Sequence, residues 1–421
     1  MDKLVIEGGA PLKGEVEISG SKNASLPIMA ATILTNDKCV ITNVPNLKDI
    51  DTMIKLLNFM GLKVYKEKDR VIKEKGACTR YVSPYEIVST MRASICVLGP
   101  LLAKKGEVKV SFPGGCIIGP RPIDLHLKGL RALGADIKIK EGDIIARAKR
   151  LKGAHIYLGG HFGSSVLATA NVMSAAVLAD GETIIHNAAC EPEVTDLANF
   201  LIKMGANIEG HSTPTIKING VKSLHGAECR VIPDRIEVGT YMIAAAITNG
   251  NLLIKNAKTG HIMAIMDKMR EANCLVQREE PGVRVKRNRK EIRPVAVTTL
   301  QYPGFPTDMQ AQIMSLMCIA DGISVVTEKI YPERFIHVSE LSRMGANIFL
   351  EGPNAIITGV KSLSGANVMA SDLRASAALV LAGLVAKGKT TVHRIYHLDR
   401  GYENIEIKLS KVGAKVKRVR E

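Results

Sequence analysis

The chain has 421 residues, of which 46% are hydrophobic and 4% aromatic, and it contains no tryptophan. This length supports a large core and exceeds one ordinary domain, so we expect two domains. No apolar run approaches the roughly 18 to 20 residues of a membrane span, and the first residues lack the regions of a signal peptide. The eight cysteines stand singly, without a Cys-x-x-Cys motif or a Cys/His cluster. We therefore expect no metal site and no disulfide framework, but free thiols in a reducing cytoplasm.

The formal net charge of +16 indicates an anionic partner, either a nucleic acid or a small phosphorylated substrate. The densest basic clusters are Arg284–Lys290 and Lys415–Arg420, and neither is interleaved with the aromatic residues that nucleic-acid binding favours. Such runs are usually solvated faces, so a small anionic substrate accounts better for the charge. The alternative, a basic protein that binds nucleic acid, predicts salt-sensitive binding and no phosphate release.

An eight-residue pattern recurs six times, at intervals of roughly 70 residues. Each copy reads as the end of an amphipathic helix, a glycine and the start of a strand. Glycine there predicts a left-handed helix cap, and Asn273 replaces it in the fourth copy because asparagine tolerates the same conformation. The copies are Leu57–Val64, Leu130–Ile137, Leu201–Ile208, Met269–Val276, Leu341–Ile348 and Leu409–Val416.

Several helical stretches are apolar nearly all round, which predicts buried helices. They are followed by a glycine turn and a β-branched strand, as at Gly181, Gly250 and Gly388. The pattern predicts an α/β protein with buried helices inside six repeats, divided into two lobes of three repeats. We expect one lobe at 20–231 and the other at 1–19 plus 232–421, with a ligand cleft between them. The buried stretches are Ser25–Leu34, Val166–Leu178, Gly239–Ile247 and Ala375–Leu384.

Candidate functional residues in the first half lie where the repeats open. Lys22 and Asn23 precede a buried stretch, where free N–H groups and a lysine can seat an anion. Arg92 stands at the start of the apolar run Ile95–Leu102, an awkward place for a purely structural arginine. The glycine- and proline-rich stretch Phe112–His126 carries Cys116 and Arg121. It reads either as a lid that delivers a reactive group or as a turn-rich connector whose cysteine only fills space.

The second half adds an acidic group and three cations. Asp308 is a helix cap or a candidate general base. Arg334, Arg374 and Arg400 stand in charged turns, as do Lys22, Arg92 and Arg121 in the first half. Six converging cations would repel one another without a multiply charged ligand, and a carboxylate plus a phosphate fits them. Their field is also expected to lower the pKa of Cys116 below its reference of about 8.5.

These residues belong to motifs that closely resemble the UDP-N-acetylglucosamine 1-carboxyvinyltransferases, which are enolpyruvyl transferases of peptidoglycan precursor synthesis. The resemblance covers essentially the whole chain. It implies a two-lobed inside-out α/β barrel with six internal repeats and a reaction that needs no metal or organic cofactor. It also implies a cytoplasmic enzyme with small-molecule substrates and no obligate protein partner. The motifs are Ser21–Ala24, Gly114–His126, Phe305–Gln310, Leu341–Ala346, Asp372–Ser376 and Tyr396–Glu406.

The resemblance also implies roles for individual residues. Cys116 would protonate phosphoenolpyruvate and form covalent adducts with it and with fosfomycin, so replacing it by serine is expected to impair turnover. Asp308 would deprotonate the sugar 3′-hydroxyl, and Asp372 would be a second acidic group. Lys22 and Arg400 would be catalytic as well as binding residues. The implied phosphoenolpyruvate contacts are Lys22, Asn23, Arg92, Arg121, Arg334, Arg374 and Arg400. The implied nucleotide-sugar contacts are Asn23, Arg92, Arg121, Pro122, Ile123, Asp124, Leu125, Ser165, Val166, Asp308 and Ile330.

Two positions depart from the family pattern. Leu167 stands where the family has glycine in a nucleotide-contacting run, and leucine does not adopt left-handed angles cheaply. The acidic residue before Arg334 is also displaced by one position, in Tyr331–Arg334. The nearest rival is 5-enolpyruvylshikimate-3-phosphate synthase, which shares the architecture and the donor but has another acceptor. The Cys116 stretch argues against that rival.

Overall fold

The structure is a computed structural model that describes residues 2–114, 122–287 and 291–420. Cys116 and Arg121 lie outside the described residues. The chain separates into two compact units, which we name by their candidate residues. The Lys22 unit contains the described residues of 20–232, and the Asp308 unit contains those of 2–19 and 233–420. The boundary between Ile232 and Pro233 lies one residue beyond the expected position.

The helices alternate with strands along the described chain. They are α1 (Lys22–Ala31), α2 (Lys48–Phe59), α3 (Tyr85–Val88), α4 (Leu98–Lys105), α5 (Asp124–Ala132), α6 (Val166–Ala176), α7 (Pro192–Lys203), α8 (Arg235–Ile247), α9 (Met263–Glu271), α10 (Gln310–Met317), α11 (Val338–Arg343), α12 (Leu373–Val385) and α13 (Ile405–Lys411). Short 3₁₀ turns lie at Thr32–Leu34, Arg92–Val97, Thr259–His261, Thr307–Met309 and Ile395–Arg400.

The strands are short and mostly of three to six residues. They are β1 (Asp2–Glu7), β2 (Lys13–Glu17), β3 (Cys39–Thr42), β4 (Val64–Glu67), β5 (Arg70–Lys73), β6 (Val82–Ser83), β7 (Glu107–Ser111), β8 (Asp136–Lys140), β9 (Asp143–Arg147), β10 (His155–Tyr157), β11 (Glu182–His186), β12 (Asn207–Glu209), β13 (Thr215–Asn219), β14 (Glu228–Arg230), β15 (Asn251–Lys255), β16 (Leu275–Glu279), β17 (Gly282–Lys286), β18 (Ala296–Thr298), β19 (Ile323–Thr327), β20 (Asn347–Glu351), β21 (Asn354–Thr358), β22 (Asn367–Met369), β23 (Lys389–His393) and β24 (Lys415–Arg420).

Six four-stranded sheets share one topology among the described residues. Each sheet has one parallel pair followed by two antiparallel pairs, as in β6-β7-β9-β8. Three sheets contain strands that are far apart in sequence: β14 pairs with β3, β2 with β15, and β1 with β23 and β24. The first strand therefore lies in the Asp308 unit. The sixfold repeat and the α/β fold class predicted from the sequence are confirmed.

The predicted left-handed caps are present in all six repeats. Gly61, Gly134, Gly205, Asn273, Gly345 and Gly413 have φ angles between 68° and 101°. Glycine adopts this region without a Cβ clash, and asparagine is the residue that most readily replaces it. Each cap turns the chain from an amphipathic helix into the next strand.

Each unit has its own apolar core, built around helices that are buried on nearly every face. In the Lys22 unit α1 and α6 run through the core, and in the Asp308 unit α8 and α12 do so. Alanines and glycine in these helices allow close approach, which suits helices that pack against others on several sides. The predicted buried helices are confirmed.

Candidate active site

Asp308 is held by two buried arginines in the Asp308 unit. It lies in the 3₁₀ turn before α10, while Arg334 precedes α11 and Arg374 lies in the first turn of α12. Arg334 Nη1 donates to Asp308 Oδ1 at 3.0 Å, and Arg374 Nη2 donates to Oδ2 at 3.0 Å. The side chains of Arg334, Arg374 and Asp308 are 5%, 3% and 29% exposed. One guanidinium therefore binds each carboxylate oxygen.

The two arginines determine the protonation state of Asp308. Burial alone would raise its pKa, but the charges of Arg374 and Arg334 outweigh burial and hold the pKa well below its usual range. Burial alone would likewise lower the pKa of Arg374, and the facing Asp308 carboxylate raises it instead. Asp308 is thus ionised near neutral pH and can only accept hydrogen bonds. It is a weak base while both guanidiniums remain bound to it.

Arg374 retains donors for a ligand. Its Nε and Nη1 have no hydrogen-bond partner among the described residues, although the side chain is almost completely buried. Buried donors without partners are costly, and a guanidinium remains charged at any physiological pH. A carboxylate or phosphate oxygen is the ligand that such donors bind most strongly. The arrangement indicates an anion site beside Asp308.

Glu328 organises the turn that leads to Arg334, a role that we did not predict. Its side chain is inaccessible to solvent, and Oε1 accepts from the main-chain N–H groups of Ile330 and Tyr331 at 2.8 and 2.9 Å. Its Oε2 accepts from the Thr307 hydroxyl at 2.9 Å, and Arg334 Nη1 in turn donates to that hydroxyl at 3.0 Å. In sequence Glu328 looks like any glutamate after a strand, so no local signal distinguishes it.

Asp372 caps the helix that carries Arg374. Its Oδ1 accepts from the main-chain N–H groups of Arg374 and Ala375 at 2.8 and 3.1 Å. Buried His337 lies near both Asp372 and Arg334. Burial, assisted by the charge of Arg334 and opposed by Asp372, lowers the pKa of His337 to about 4, so the imidazole is neutral near pH 7.

The turn that carries Arg400 is fastened to the last strand. Asp399, its neighbour, accepts from Arg418 Nη1 at 3.1 Å and from Nη2 at 2.5 Å. The Nε of Arg418 donates to Glu406 at 2.9 Å. Because β24 is hydrogen-bonded along its length to β1, this clamp positions the Arg400 turn against a sheet.

In the Lys22 unit, Lys22 and Asn23 occupy the first turn of α1. Ser21 is the N-cap, and its hydroxyl accepts from the Ala24 N–H at 3.3 Å. Lys22 Nζ lies 3.3 Å from Asp49 Oδ2. The lysine is therefore placed at a helix N-terminus, where the helix dipole and the ammonium group both favour an anion.

Arg92 contacts the chain that enters the Cys116 stretch. Its Nη1 donates to the Pro113 carbonyl at 3.4 Å. A Cβ at Gly114 would lie 2.5 Å from the Ser89 carbonyl oxygen, so only glycine fits there. The predictions for Cys116 and Arg121 concern residues that lie outside the described part of the chain, so they remain predictions.

The expected nucleotide-sugar contacts after Arg121 lead into α5. Pro122 and Asp124 are exposed, whereas Ile123 and Leu125 are buried. The next residue, His126, is buried, and its Nδ1 lies 2.9 Å from Asn171 Nδ2. Burial and the nearby charge of Arg92 lower the pKa of His126 to about 3, so it is neutral and Nδ1 accepts.

Asn171 connects three segments of the Lys22 unit and was also missed by the sequence analysis. Its Nδ2 donates to the Ile95 carbonyl at 2.8 Å as well as to His126, and its Oδ1 accepts from Gly99 N–H at 2.7 Å. The amide thereby fixes α6 against α5 and against the turn that carries Arg92. A polar residue inside the apolar stretch Val166–Leu178 was the available signal.

The departure at Leu167 is accommodated by the helix. Ser165 is the N-cap of α6, its hydroxyl accepting from Ala168 N–H at 3.3 Å, and Val166 is the first helical residue. Leu167 follows with helical geometry and packs against the core. The left-handed backbone conformation that leucine does not adopt cheaply is therefore not required at this position.

Neither a metal-binding group nor a membrane-spanning helix is found in the described ranges. No set of three or more His, Cys, Asp or Glu side chains there is grouped to bind a metal ion. Among the same residues, no helix has both the length and the apolar character to cross a bilayer. The seven described cysteines are free thiols.

Comparison with known proteins assigns the chain to a family. Residues 6–409 match the family model of EPSP synthase (3-phosphoshikimate 1-carboxyvinyltransferase). The UDP-N-acetylglucosamine 1-carboxyvinyltransferase of Methylacidiphilum infernorum is 54% identical over 419 residues, covering 100% of this chain and 99% of that protein. The enzyme of the same name from Lawsonia intracellularis is 55% identical over 421 residues and 100% of both chains.

Solved structures support the same fold. The enolpyruvyl transferase NikO from Streptomyces tendae superposes with a TM-score of 0.90 at 24% identity, covering 99% of both chains. An EPSP synthase from Acinetobacter baumannii gives a TM-score of 0.75 at 18% identity over 100% of both chains. At these identities the structures establish the fold alone, the two-lobed inside-out α/β barrel. The sequence relatives establish the rest: the chain belongs to the UDP-N-acetylglucosamine 1-carboxyvinyltransferases of the enolpyruvyl transferase family.

Proposed function

We propose that this protein transfers the enolpyruvyl group of phosphoenolpyruvate to the 3′-hydroxyl of UDP-N-acetylglucosamine and releases phosphate. The observation that carries the proposal is full-length identity of about 54% to enzymes of that name. The Asp308 site supports it, because its carboxylate, its two buried arginines and the spare donors of Arg374 suit a hydroxyl acceptor beside an anionic donor. The reaction supplies a precursor of peptidoglycan.

In the proposed mechanism each residue has a defined task in the addition and elimination steps. Asp308 takes the proton of the sugar 3′-hydroxyl while the hydroxyl oxygen bonds to C2 of phosphoenolpyruvate. Cys116 protonates C3. The tetrahedral adduct then returns a proton from C3 to the Cys116 thiolate as the bond from C2 to the phosphate oxygen breaks, and the departing phosphate takes the proton that Asp308 holds. Lys22, Arg121 and Arg400 neutralise the leaving phosphate.

The low pKa of Asp308 fits this scheme once the donor is bound. Phosphoenolpyruvate brings negative charge to the guanidiniums that lower the basicity of Asp308. Neutralising Arg374 and Arg334 raises the pKa of Asp308, because the charges that lowered it are then shared with the substrate. Binding of the donor therefore makes Asp308 a stronger base when a proton must be removed.

The other proposed roles follow from position. Asn23, Arg92, Ser165, Val166 and the run 122–125 would contact the nucleotide sugar, together with Ile330. Asp372 would act beside the reacting centre in addition to capping α12. The free thiols suit a reducing compartment, and we infer a cytoplasmic enzyme with small-molecule substrates only.

Phosphate release from phosphoenolpyruvate, measured with and without UDP-N-acetylglucosamine, tests the proposal. We expect release only when the nucleotide sugar is present. The matching family model is that of EPSP synthase, so shikimate 3-phosphate is the comparison acceptor. Release with that acceptor and not with the nucleotide sugar would contradict the proposal.

A further inference from the structure

Tyr402 lies beneath the Asp308 site and is not among the residues assigned a role above. It follows the turn that carries Arg400 and precedes α13, and its side chain is only 2% exposed. A buried tyrosine usually requires a partner for its hydroxyl. The ring of Tyr402 contacts Arg374, and its hydroxyl contacts both Arg374 and a hydrogen-bond chain that leads to Asp308.

The ring of Tyr402 supports Arg374. The guanidinium carbon of Arg374 lies 5.5 Å from the ring centroid, within the range of a cation–π contact. The guanidinium also donates from Nη2 to Asp308 at 3.0 Å and interacts with the Tyr402 hydroxyl. The ring therefore limits the positions open to an arginine whose Nε and Nη1 remain available for a ligand.

The hydroxyl of Tyr402 belongs to a hydrogen-bond chain that reaches the main chain of Asp308. Gln312 Nε2 donates to the Asp308 carbonyl at 2.9 Å and to the Tyr402 hydroxyl at 3.2 Å. The Tyr402 hydroxyl lies 2.8 Å from Thr240 Oγ1, which donates its own hydrogen to the Ile236 carbonyl at 2.9 Å.

Only one direction of donation satisfies this chain. Because the Thr240 hydrogen is used at Ile236, the Tyr402 hydroxyl must donate to Thr240. The oxygen of Tyr402 is then free to accept from Gln312. Removing the hydroxyl therefore takes from Thr240 its 2.8 Å donor and leaves the second amide hydrogen of Gln312 only the longer contact with Thr240 Oγ1, at 3.4 Å.

We propose that Tyr402 is a positioning residue: its ring seats Arg374 and its hydroxyl, through Gln312, holds the main chain at Asp308, which keeps the base and the anion-binding arginine in register. The inference rests on the proposed function for its kinetic readout. It predicts that the two parts of one side chain affect the kinetic constants differently. The hydroxyl controls turnover through Asp308 and makes a smaller contribution to donor affinity through Arg374, whereas the ring acts on donor affinity alone.

Three variants of the full chain separate the two parts. Tyr402→Phe keeps the ring and removes the hydroxyl, and Tyr402→Leu removes both. Tyr241→Phe is the matched control, since Tyr241 is equally buried in the same unit and its hydroxyl has no hydrogen-bond partner among the described residues. Phosphate release gives kcat and the KM for phosphoenolpyruvate, and thermal unfolding monitors folding.

For Tyr402→Phe we expect kcat to fall about tenfold, with the KM for phosphoenolpyruvate raised no more than about threefold, because the ring still supports Arg374. For Tyr402→Leu we expect a comparable loss in kcat and a KM raised about tenfold, because Arg374 loses its support. The acid limb of the profile of kcat/KM against pH should also move to higher pH in Tyr402→Leu, because a displaced Arg374 lowers the pKa of Asp308 less. Tyr241→Phe should match the wild type in each constant.

Two outcomes would overturn the inference. In the first, the Tyr402 variants melt at lower temperature but keep the wild-type kinetic constants and pH profile in the folded fraction. In the second, Tyr402→Phe and Tyr241→Phe lose kcat equally. If Tyr402→Leu does not fold, Thr240→Val, which removes the acceptor of the hydroxyl, must lower kcat about threefold with an unchanged KM. A wild type without phosphate release would refute the proposed function instead. The inference is then decided by calorimetric binding of phosphoenolpyruvate, which must be about threefold or more weaker in Tyr402→Leu than in Tyr402→Phe.

Discussion

The two units repeat one architecture but hold the polar groups of their candidate sites in different ways. In the Asp308 unit, ionised groups hold one another: Asp308 binds Arg334 and Arg374. In the Lys22 unit, the segments that carry Arg92 and the run 122–125 are joined by a neutral pair, His126 and Asn171. The Asp308 arrangement depends on charge and the His126–Asn171 arrangement depends on complementary hydrogen bonding, although the Lys22 unit also contains the ion pair of Lys22 with Asp49.

The difference separates an arrangement that can respond to a ligand from one that fixes the local structure. A buried ion pair whose arginine still has free donors can respond to an anionic ligand, because the ligand competes for the same charge. A neutral amide network has no such response, and it fixes the geometry of the surrounding segments. We therefore expect substitutions in the Asp308 unit to affect chemistry first and those at Asn171 to affect stability first.

The largest effect is expected for Asp308→Asn. Loss of the base should lower kcat about 100- to 10,000-fold, and the unpaired buried arginines should destabilise the fold by about 3 to 5 kcal/mol. Phosphate release and urea unfolding measure the two effects. The control is Asp321→Asn, since Asp321 is exposed in the same unit. Turnover within tenfold of wild type would refute a catalytic role for Asp308.

The pH dependence of the same variant sharpens the comparison. Because the folded pKa of Asp308 is lowered, its stabilising contribution is present above the unfolded pKa of about 3.9 and is lost as the pH falls through the folded value. The difference in unfolding free energy between wild type and Asp308→Asn should therefore stay constant from pH 7 to pH 5 and shrink below about pH 4. A difference that already shrinks at pH 6 would contradict the ion-pair account.

Asn171→Leu should be the most destabilising change at the neutral network. It removes the partners of the Ile95 carbonyl, the Gly99 N–H and His126 Nδ1 at once, which should cost about 3 kcal/mol. Urea unfolding measures this cost. Asn207→Leu, at an exposed position of the same unit, should stay within about 0.5 kcal/mol of wild type. If Asn171→Leu instead raises the KM for phosphoenolpyruvate without lowering stability, the expectation that Asn171 acts first on stability is wrong.

His126 gives the Lys22 unit its own pH signature. Its folded pKa of about 3 lies below the unfolded value of about 6.5, so the stability it supports is complete above pH 6.5 and declines as the pH falls. As the pH falls from 6 to 4, the free energy of unfolding of the wild type should decrease by about 1 kcal/mol per pH unit more than that of His126→Gln. Urea unfolding across this range tests the slope, and other buried histidines contribute equally to both proteins. Parallel slopes would show that His126 accepts a proton in the folded state.

The smallest effect is expected at Leu167. Leu167→Gly should destabilise the protein by about 1 kcal/mol for glycine in a helix, plus the lost packing, and Leu167→Ala isolates the packing. We expect the KM for UDP-N-acetylglucosamine to be the same within about twofold in both variants, since the position is helical. A lower KM in the glycine variant alone would show that the nucleotide site uses the backbone freedom of glycine.

Local features of the fold were predictable because they depend on neighbours in the chain. The left-handed cap at Gly345 and its replacement at Asn273 follow from backbone sterics, and the buried helix α12 follows from its apolar composition. The candidate residues Asp308, Arg334 and Arg374 stood out as charges in turns beside buried helices. Glu328, Gln312 and Tyr402 did not, because their importance depends on partners distant in sequence.

The amino-acid sequence by itself determined the six repeats, their caps, the buried helices and the membership of the family, since each is written in spacing or in contiguous motifs. Only the tertiary structure decided that β1 joins β23 and β24, and that Asp308 binds Arg334 through one oxygen and Arg374 through the other. Periodicity describes which face of an element is buried and carries no information on which element covers it. Strand partners and ion pairs are chosen through space, among segments that the chain separates by tens or hundreds of residues.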